Sequence, residues 1–230
     1  SEYQNIEVDF RKFLSWSKLN LWKNVFLNQS EKDAFKEKCF NFYYEKTISR
    51  LNKFYEKSNI NDEEYFINGK KMKSFKNLAK EIDWEDLSVT NATGFHGDFH
   101  FENILKTDTG YSLLDWRQDF SGSLEYGDIY YDLAKLLHGL IISHSIIKED
   151  LFSIILRKNK KISLDFNRKE KLIRLEKIFS DFLIENDLSE KKVKILTNLI
   201  FINIAPLHTN PYSNFLYFLG IRGLNEIYDK

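Results

Sequence analysis

The chain holds 230 residues, with 34 Lys and Arg against 34 Asp and Glu and a formal net charge of zero. That length buries a sizeable core in one large domain or two small ones, and the balanced charge supplies no basic face of the sort nucleic acid requires, so no nucleic-acid partner is expected. No apolar run reaches the ~20 residues that cross a bilayer, and the single cysteine, Cys39, cannot close an internal disulfide, so a soluble, cytoplasmic protein with no membrane partner is expected.

The N-terminus is polar and acidic and is expected to carry no signal peptide. Ile6, Val8 and Phe10 alternate with Glu7 and Asp9, which allows a short strand over residues 1–9. From Phe10 the apolar spacing of Phe13, Leu14, Ser17, Leu21 and Val25 changes to that of a helix. Trp16 and Trp22 are read as core or lid packing. A strong helix is expected over residues 30–57, capped by Ser30 with Asp33 as its capping-box partner. Cys39 falls on its apolar face and is read as core, not as a nucleophile. Residues 58–69 are polar and end in the turn signal Asn68-Gly69. Ser74 caps a short helix through Glu81, and a second helical piece covers residues 84–87.

Five of the nine glycines fall between Gly94 and Gly127, so backbone irregularity is concentrated in one segment. Residues 93–96 read as a short strand. Residues 103–106 and 111–115 flank Thr107-Asp108-Thr109-Gly110, which has hairpin chemistry. In an antiparallel pair the two open ends are adjacent, so Asn103 and Asp115 can turn their oxygens to one metal ion. Residues 118–127 form a loop. Asp128 then opens a helix to about residue 145, with Leu133, Leu136, Leu137, Leu140 and Ile141 as its buried stripe. Residues 152–157 and 162–166 read as a second hairpin. Three helices follow, over about 168–186, 190–205 and 212–228, with Ser189 capping the second and Pro206 and Asn210-Pro211 breaking the chain before the third.

The loop His96-Gly97-Asp98-Phe99-His100-Phe101-Glu102-Asn103, followed by Leu113-Leu114-Asp115-Trp116, closely resembles the catalytic core of the aminoglycoside phosphotransferase and choline kinase superfamily, the protein-kinase-like small-molecule kinases. Their loop reads H-x-D-x-x-x-x-N and a later Asp closes an apolar strand. Gly127-Asp128-Ile129-Tyr130-Tyr131-Asp132-Leu133-Ala134-Lys135 resembles the helix that follows, so the likeness runs from about residue 94 to 140. It implies that Asp98 orients or deprotonates the hydroxyl of a small metabolite, and that His96 holds the loop by hydrogen bonds. Asn103 and Asp115 would hold Mg²⁺ on the phosphates of ATP. Asp128 or Asp132 would tie the loop down through backbone N–H groups, or would simply cap the helix. Arg117 and Asp119 would touch substrate or pair with each other, and the pair is favoured.

The implied fold is α+β and mostly α: a kinase-like C-terminal lobe over residues 1–230, with a helical flank (1–90), a catalytic core (91–147) and a hairpin-plus-helices subdomain (148–230). The first lobe of such a kinase is not written in the sequence, because residues 1–90 read as helices and no G-x-G-x-x-G or P-loop occurs. That lobe is expected upstream in the same polypeptide, in another chain as partner, or in degenerate form. The acceptor would be an amino alcohol such as choline, a sugar or an aminoglycoside. Two alternatives stay open. One is a kinase-like module that binds without turnover. The other is a metal-dependent hydrolase whose ligands are His96, Asp98 and His100. Tyr126, Tyr130 and Tyr131 are read as core rather than as a wall for a cationic substrate, and His138, His144 and His208 as core or surface residues rather than ligands.

Overall fold

The computed structural model describes residues 2–229, with the side chains of 5–143 and 145–229; the reading of the His144 side chain lies outside the described residues. The protein is 57% helix and 15% strand, an α+β chain dominated by helix. Helix α1 (Glu2–Asn20) buries Phe10, Phe13, Leu14 and Ser17, the i, i+3, i+4, i+7 face of one continuous helix. The strand expected over residues 1–9 does not form. Val8 is half exposed and the alternation is only three apolar residues long, whereas the helical face runs on through Ser17.

Helix α2 (Gln29–Phe40) passes through a π-helical turn, Asn41–Glu45, into α3 (Lys46–Lys57). Its capping box is Asn28 with Glu31 instead of Ser30 with Asp33. Asn28 Oδ1 accepts from the Glu31 N–H at 3.0 Å and Glu31 accepts from the Asn28 N–H at 2.7 Å. Both pairs have capping-box spacing; the earlier one wins, and Asp33 takes the Gln29 side chain.

Strands β1 (Tyr65–Ile67) and β2 (Lys70–Met72) form a hairpin, so the polar stretch 58–69 contains a strand. The turn itself is where Asn68-Gly69 put it, with both residues at positive φ, 50° and 84°. Helices α4 (Phe75–Glu81), capped by Ser74, and α5 (Trp84–Ser88) follow. Strand β3 (Ala92–Thr93) leads to the irregular segment, then come β4 (Ile104–Thr107), β5 (Gly110–Leu113), β6 (Gly127–Asp128) and α6 (Ile129–Ile141). The expected helix to about residue 145 breaks at Ile142. There Arg168 donates to the Leu140 carbonyl at 3.1 Å, and a separate short helix, α7 (His144–Lys148), begins. Strands β7 (Phe152–Arg157) and β8 (Lys161–Phe166) make the second expected hairpin. Helices α8 (Glu170–Glu185), α9 (Glu190–Ile204) and α10 (Tyr212–Tyr228) fall within two residues of their expected bounds.

The longest sheet has the order β2-β1-β8-β7, and β1 and β8 run parallel. Asn68 brackets that junction, donating to the Leu164 carbonyl at 2.7 Å and accepting from its N–H at 2.8 Å. The N-terminal flank and the C-terminal hairpin therefore share one sheet. Helix α6 lies between two hydrophobic clusters. Leu133, Leu136, Leu137 and Leu140 pack with Phe13 of α1 and Phe179 of α8, while Tyr131 and Ala134 pack with α9 and α10 residues such as Phe201 and Phe215. A helix held on both sides is a rigid base for whatever its N-terminal turns touch.

Candidate active site

The irregular segment begins where β3 pairs with β6, Ala92 opposite Asp128 and Thr93 opposite Gly127. On its other side it is stitched to the stretch after α1: Val25 donates to the Ala92 carbonyl and Gly94 to the Lys23 carbonyl. A Cβ on Gly94 would lie 2.2 Å from the Leu21 carbonyl oxygen, so only glycine admits this approach. The chain then turns through Gly97 at φ +82° and presents Asp98.

Three groups fix that turn. Asp132, on the first turn of α6, accepts from the His96 N–H at 2.8 Å with one oxygen and from the Gly97 N–H at 2.7 Å with the other. The Trp22 indole donates to Asp132 at 3.1 Å. Burial pushes the Asp132 carboxyl up to about 6, although these three bonds oppose the shift. His96 itself is buried. Its Nε2 meets the Leu114 carbonyl at 2.7 Å and its Nδ1 accepts from the Asp98 N–H at 3.2 Å, so the network assigns the proton to Nε2. Burial lowers its pKa, in keeping with a neutral ring.

Asp128 and Asp132 divide the two roles that the sequence left open between them. Asp128, itself fully buried, caps α6 through the Tyr130 N–H and is bonded by the Tyr43 and Thr90 hydroxyls. Asp132 alone ties down the loop.

The Asp98 carboxylate is 39% exposed and flanked by two cations. Lys135 Nζ, on α6, lies 2.7 Å from one oxygen, and His100 Nε2 lies 3.3 Å from the other. Partial burial opposes ionisation, but the His100 bond and the Lys135 ammonium outweigh it and hold Asp98 well below the usual carboxylate range. The same contact, with the Glu102 carboxylate at 2.8 Å, pushes His100 up to about 9, so its ring is an imidazolium at neutral pH. Lys135 escaped the sequence reading. The signal was available in its spacing: Asp132 and Lys135 are three residues apart on one helix face.

Asn103 ends a 3-10 turn, is buried, and donates through Nδ2 to the Asp98 carbonyl at 3.0 Å. Its carbonyl accepts from the Leu114 N–H at 2.8 Å, so Asn103 stands opposite Leu114 and next to Asp115 across the open end of the β4–β5 hairpin. The hairpin forms where expected, but its register pairs Ile104 with Leu113 and Thr107 with Gly110, so Asp108-Thr109 is the loop, Asn103 precedes the first strand and Asp115 lies two residues beyond the second. Asp115 is exposed and left-handed, at φ +51°. Asn103 and Asp115 thus lie at one end of the hairpin, beside the loop that carries the ionised Asp98; a side-chain amide and a carboxylate are oxygen donors of the kind a hard divalent cation takes.

One expectation and one alternative do not hold. Arg117 and Asp119 do not pair. Asp119 turns back to accept the Gly122 N–H at 2.6 Å in the tight turn 120–123, while the Arg117 guanidinium lies over the Phe42 and Tyr131 rings, 5.5 and 5.7 Å from their centroids. Nor do His96, Asp98 and His100 assemble a metal centre. Both His96 nitrogens are engaged, His100 is paired with two carboxylates, and among the described residues no group of three His, Cys, Asp or Glu is arranged to hold a metal ion. His138 has buried ring nitrogens and packs tilted against Phe201 at 4.9 Å, His208 packs on Tyr212, and Tyr131 is core. No protein-family model, no curated protein and no solved structure matches this chain.

Proposed function

We propose that the chain is the acceptor-binding and metal-binding lobe of a small-molecule kinase, an ATP- and Mg²⁺-dependent phosphotransferase acting on a hydroxyl. The observation that carries this reading is the geometry around Asp98. A carboxylate is held ionised by His100 at 3.3 Å and Lys135 at 2.7 Å, on a loop pinned by Asp132, beside Asn103 and Asp115 at the open end of the hairpin. Phosphoryl transfer asks a protein mainly for positioning and charge. Asp98 accepts a hydrogen bond from the acceptor hydroxyl and aims its oxygen; with so low a pKa its part is orientation more than full deprotonation. Asn103 through Oδ1 and Asp115 through its carboxylate would hold Mg²⁺, which supplies neutralisation of phosphate charge when bound. His96 and Asp132 keep the loop in shape without touching substrate.

The half that grips the nucleotide is not formed by residues 2–90, which fold as helices and one short hairpin. In this reading it comes from the same polypeptide or from a partner chain. The test is ATP consumption by the full-length protein, followed by phosphorus NMR with amino alcohols such as choline, sugars and aminoglycosides as acceptors. Turnover that Asp98→Asn abolishes while the fold persists supports the reading; turnover unchanged in that variant overturns it. The helical flank also favours a second reading, a kinase-like module that binds its ligand without consuming ATP, and turnover by the native protein removes it.

A further inference from the structure

Three cationic side chains, Arg117, Arg50 and Lys135, act on a fourth, Lys46, against one acid, Asp119, and Lys135 joins this group to Asp98. Lys46 opens α3, immediately after the π-helical turn, and its Nζ sits 3.9 Å over the Phe42 ring and 5.9 Å from the Tyr131 centroid. Arg117 covers the same two rings, and Phe42 and Tyr131 themselves meet edge to face at 4.8 Å. Arg50 lies one turn after Lys46 on the same helix face, a like-charge spacing that weakens a helix unless something compensates. Lys135 completes the group and is engaged by Asp98. Among the described residues Lys46, Arg50 and Arg117 make no ion pair. The Arg117 stem lies on Gly97, where a Cβ would meet its own Cβ at 2.5 Å, so this cluster borders the loop that presents Asp98. Burial and the neighbouring Arg117, Arg50 and Lys135 charges push Lys46 down to about 7, against the weaker attraction of Asp119. Half-buried cations kept together at a cost, bordering the Asp98 loop, make a field complementary to an anion.

We propose that Lys46, Arg50, Arg117 and Lys135 form a subsite for a phosphate-class anion beside Asp98. The assignment of that anion to the reaction rests on the kinase reading: it is either an acidic group on the acceptor, which would make the acceptor an anionic metabolite and not a cationic amine, or a phosphate of the nucleotide.

The probe is inorganic phosphate, titrated by calorimetry into the full chain at low ionic strength without ATP. Saturable binding is expected, weakened tenfold or more in Lys46→Gln and in Arg117→Gln, and unchanged in Lys12→Gln, an exposed side chain on helix α1. Lys46→Arg, which keeps the charge, restores binding, and circular dichroism of each variant checks the fold. No saturable binding, equal binding in all variants, or a folded Lys46→Arg that does not bind overturns the subsite. A second titration uses sulfate, whose charge is constant, from pH 6 to 8.5. Affinity falls as pH rises through about 7, where Lys46, faced by Arg50, Arg117, Lys135 and Asp119, loses its proton; a flat profile overturns the part given to Lys46. Adding Mg·ATP to the phosphate complex separates the sources. Displacement assigns the anion to the nucleotide, and joint binding assigns it to the acceptor. Because phosphate binding is read without turnover, failure of the kinase reading leaves it standing, and failure to bind phosphate leaves turnover untouched.

Discussion

Lys135 Nζ sits 2.7 Å from Asp98 Oδ1, on the same face of α6 as Asp132, which holds the backbone of the same loop. One helix turn thus fixes both the loop's main chain and the ionisation of the side chain it presents. The Lys135 side chain is 12% exposed, so water screens the pair little on that side. Removing the ammonium while keeping the stem, Lys135→Met, raises the Asp98 pKa measured by carbon-13 NMR of its carboxyl. Lys135→Arg keeps it low, and His100 limits the rise. Turnover falls about ten- to a hundredfold in the methionine variant, less than the ~10²–10⁴ that an acid–base group itself contributes. An Asp98 titration identical in the Lys135→Met and native proteins would show that the ion pair is not what holds it.

Asp132 carries a different load. Its substitution by Ala leaves the His96 and Gly97 N–H groups and the Trp22 indole without an acceptor in a buried setting. Each orphaned buried donor costs about 1–3 kcal/mol, partly offset because a carboxylate disfavoured by burial is gone. A net loss of about 3 kcal/mol is expected in urea unfolding, with faster hydrogen exchange at the His96 and Gly97 amides than at amides of the β7–β8 hairpin. Uniform exchange across both regions would argue that Asp132 stabilises the whole chain and not the loop.

What the sequence made legible divides by distance along the chain. The β4–β5 hairpin needed only Thr107-Asp108-Thr109-Gly110, and α9 needed Ser189 and its apolar stripe; both are local signals and both form. Strands β1 and β2 have three residues each, too few for a period of two to register, and the third strand of their sheet, β8, lies about a hundred residues on, at 161–166. Ile6, Val8 and Phe10 gave a false period because alternation over three positions does not exclude a helix whose face continues to Ser17. At the site, Asp98, Asn103 and Asp115 were readable as a motif. Lys135 and Lys46 were not, since each becomes meaningful only when α6 or α3 packs beside a loop far from it in sequence. Arg117 and Asp119 misled for the opposite reason: nearness in sequence suggested a pair that the turn at Gly122 and the Phe42 ring both outbid.

His100 gives the pH dependence a sign. Bonds to Asp98 and then Glu102 raise its pKa from 6.5 to about 9. A group raised in the folded state stabilises the fold fully below its unfolded pKa of about 6.5. That contribution is lost as pH rises through 9. Lys46, lowered to about 7, acts the other way, its cost disappearing between 7 and 10.5. The two are separated by difference: native stability minus that of His100→Gln falls from pH 6.5 to 9.5 in urea unfolding, and the His100 ring titrates near 9 by nitrogen-15 NMR. A ring titrating near 6.5 would mean that neither carboxylate holds it in solution.

Gly97 is where backbone geometry and the cationic cluster meet. Its φ of +82° costs an L-residue roughly 1–2 kcal/mol. A Cβ there would also stand 2.5 Å from Arg117 Cβ, an atom with no freedom to swing away, on a residue whose N–H is bonded to the His96 carbonyl at 2.9 Å. Gly122 has nearly the same φ, +79°, and open space around its missing Cβ. The pair of alanine substitutions therefore separates strain from crowding. Gly122→Ala is expected to lose about 1 kcal/mol in urea unfolding, from strain alone. Gly97→Ala is expected to lose about 3 kcal/mol, strain plus the forced shift of Arg117, and with it turnover and phosphate binding. Equal losses at the two glycines would mean that the Arg117 stem yields freely, and that the contact between loop and cluster does not position either of them.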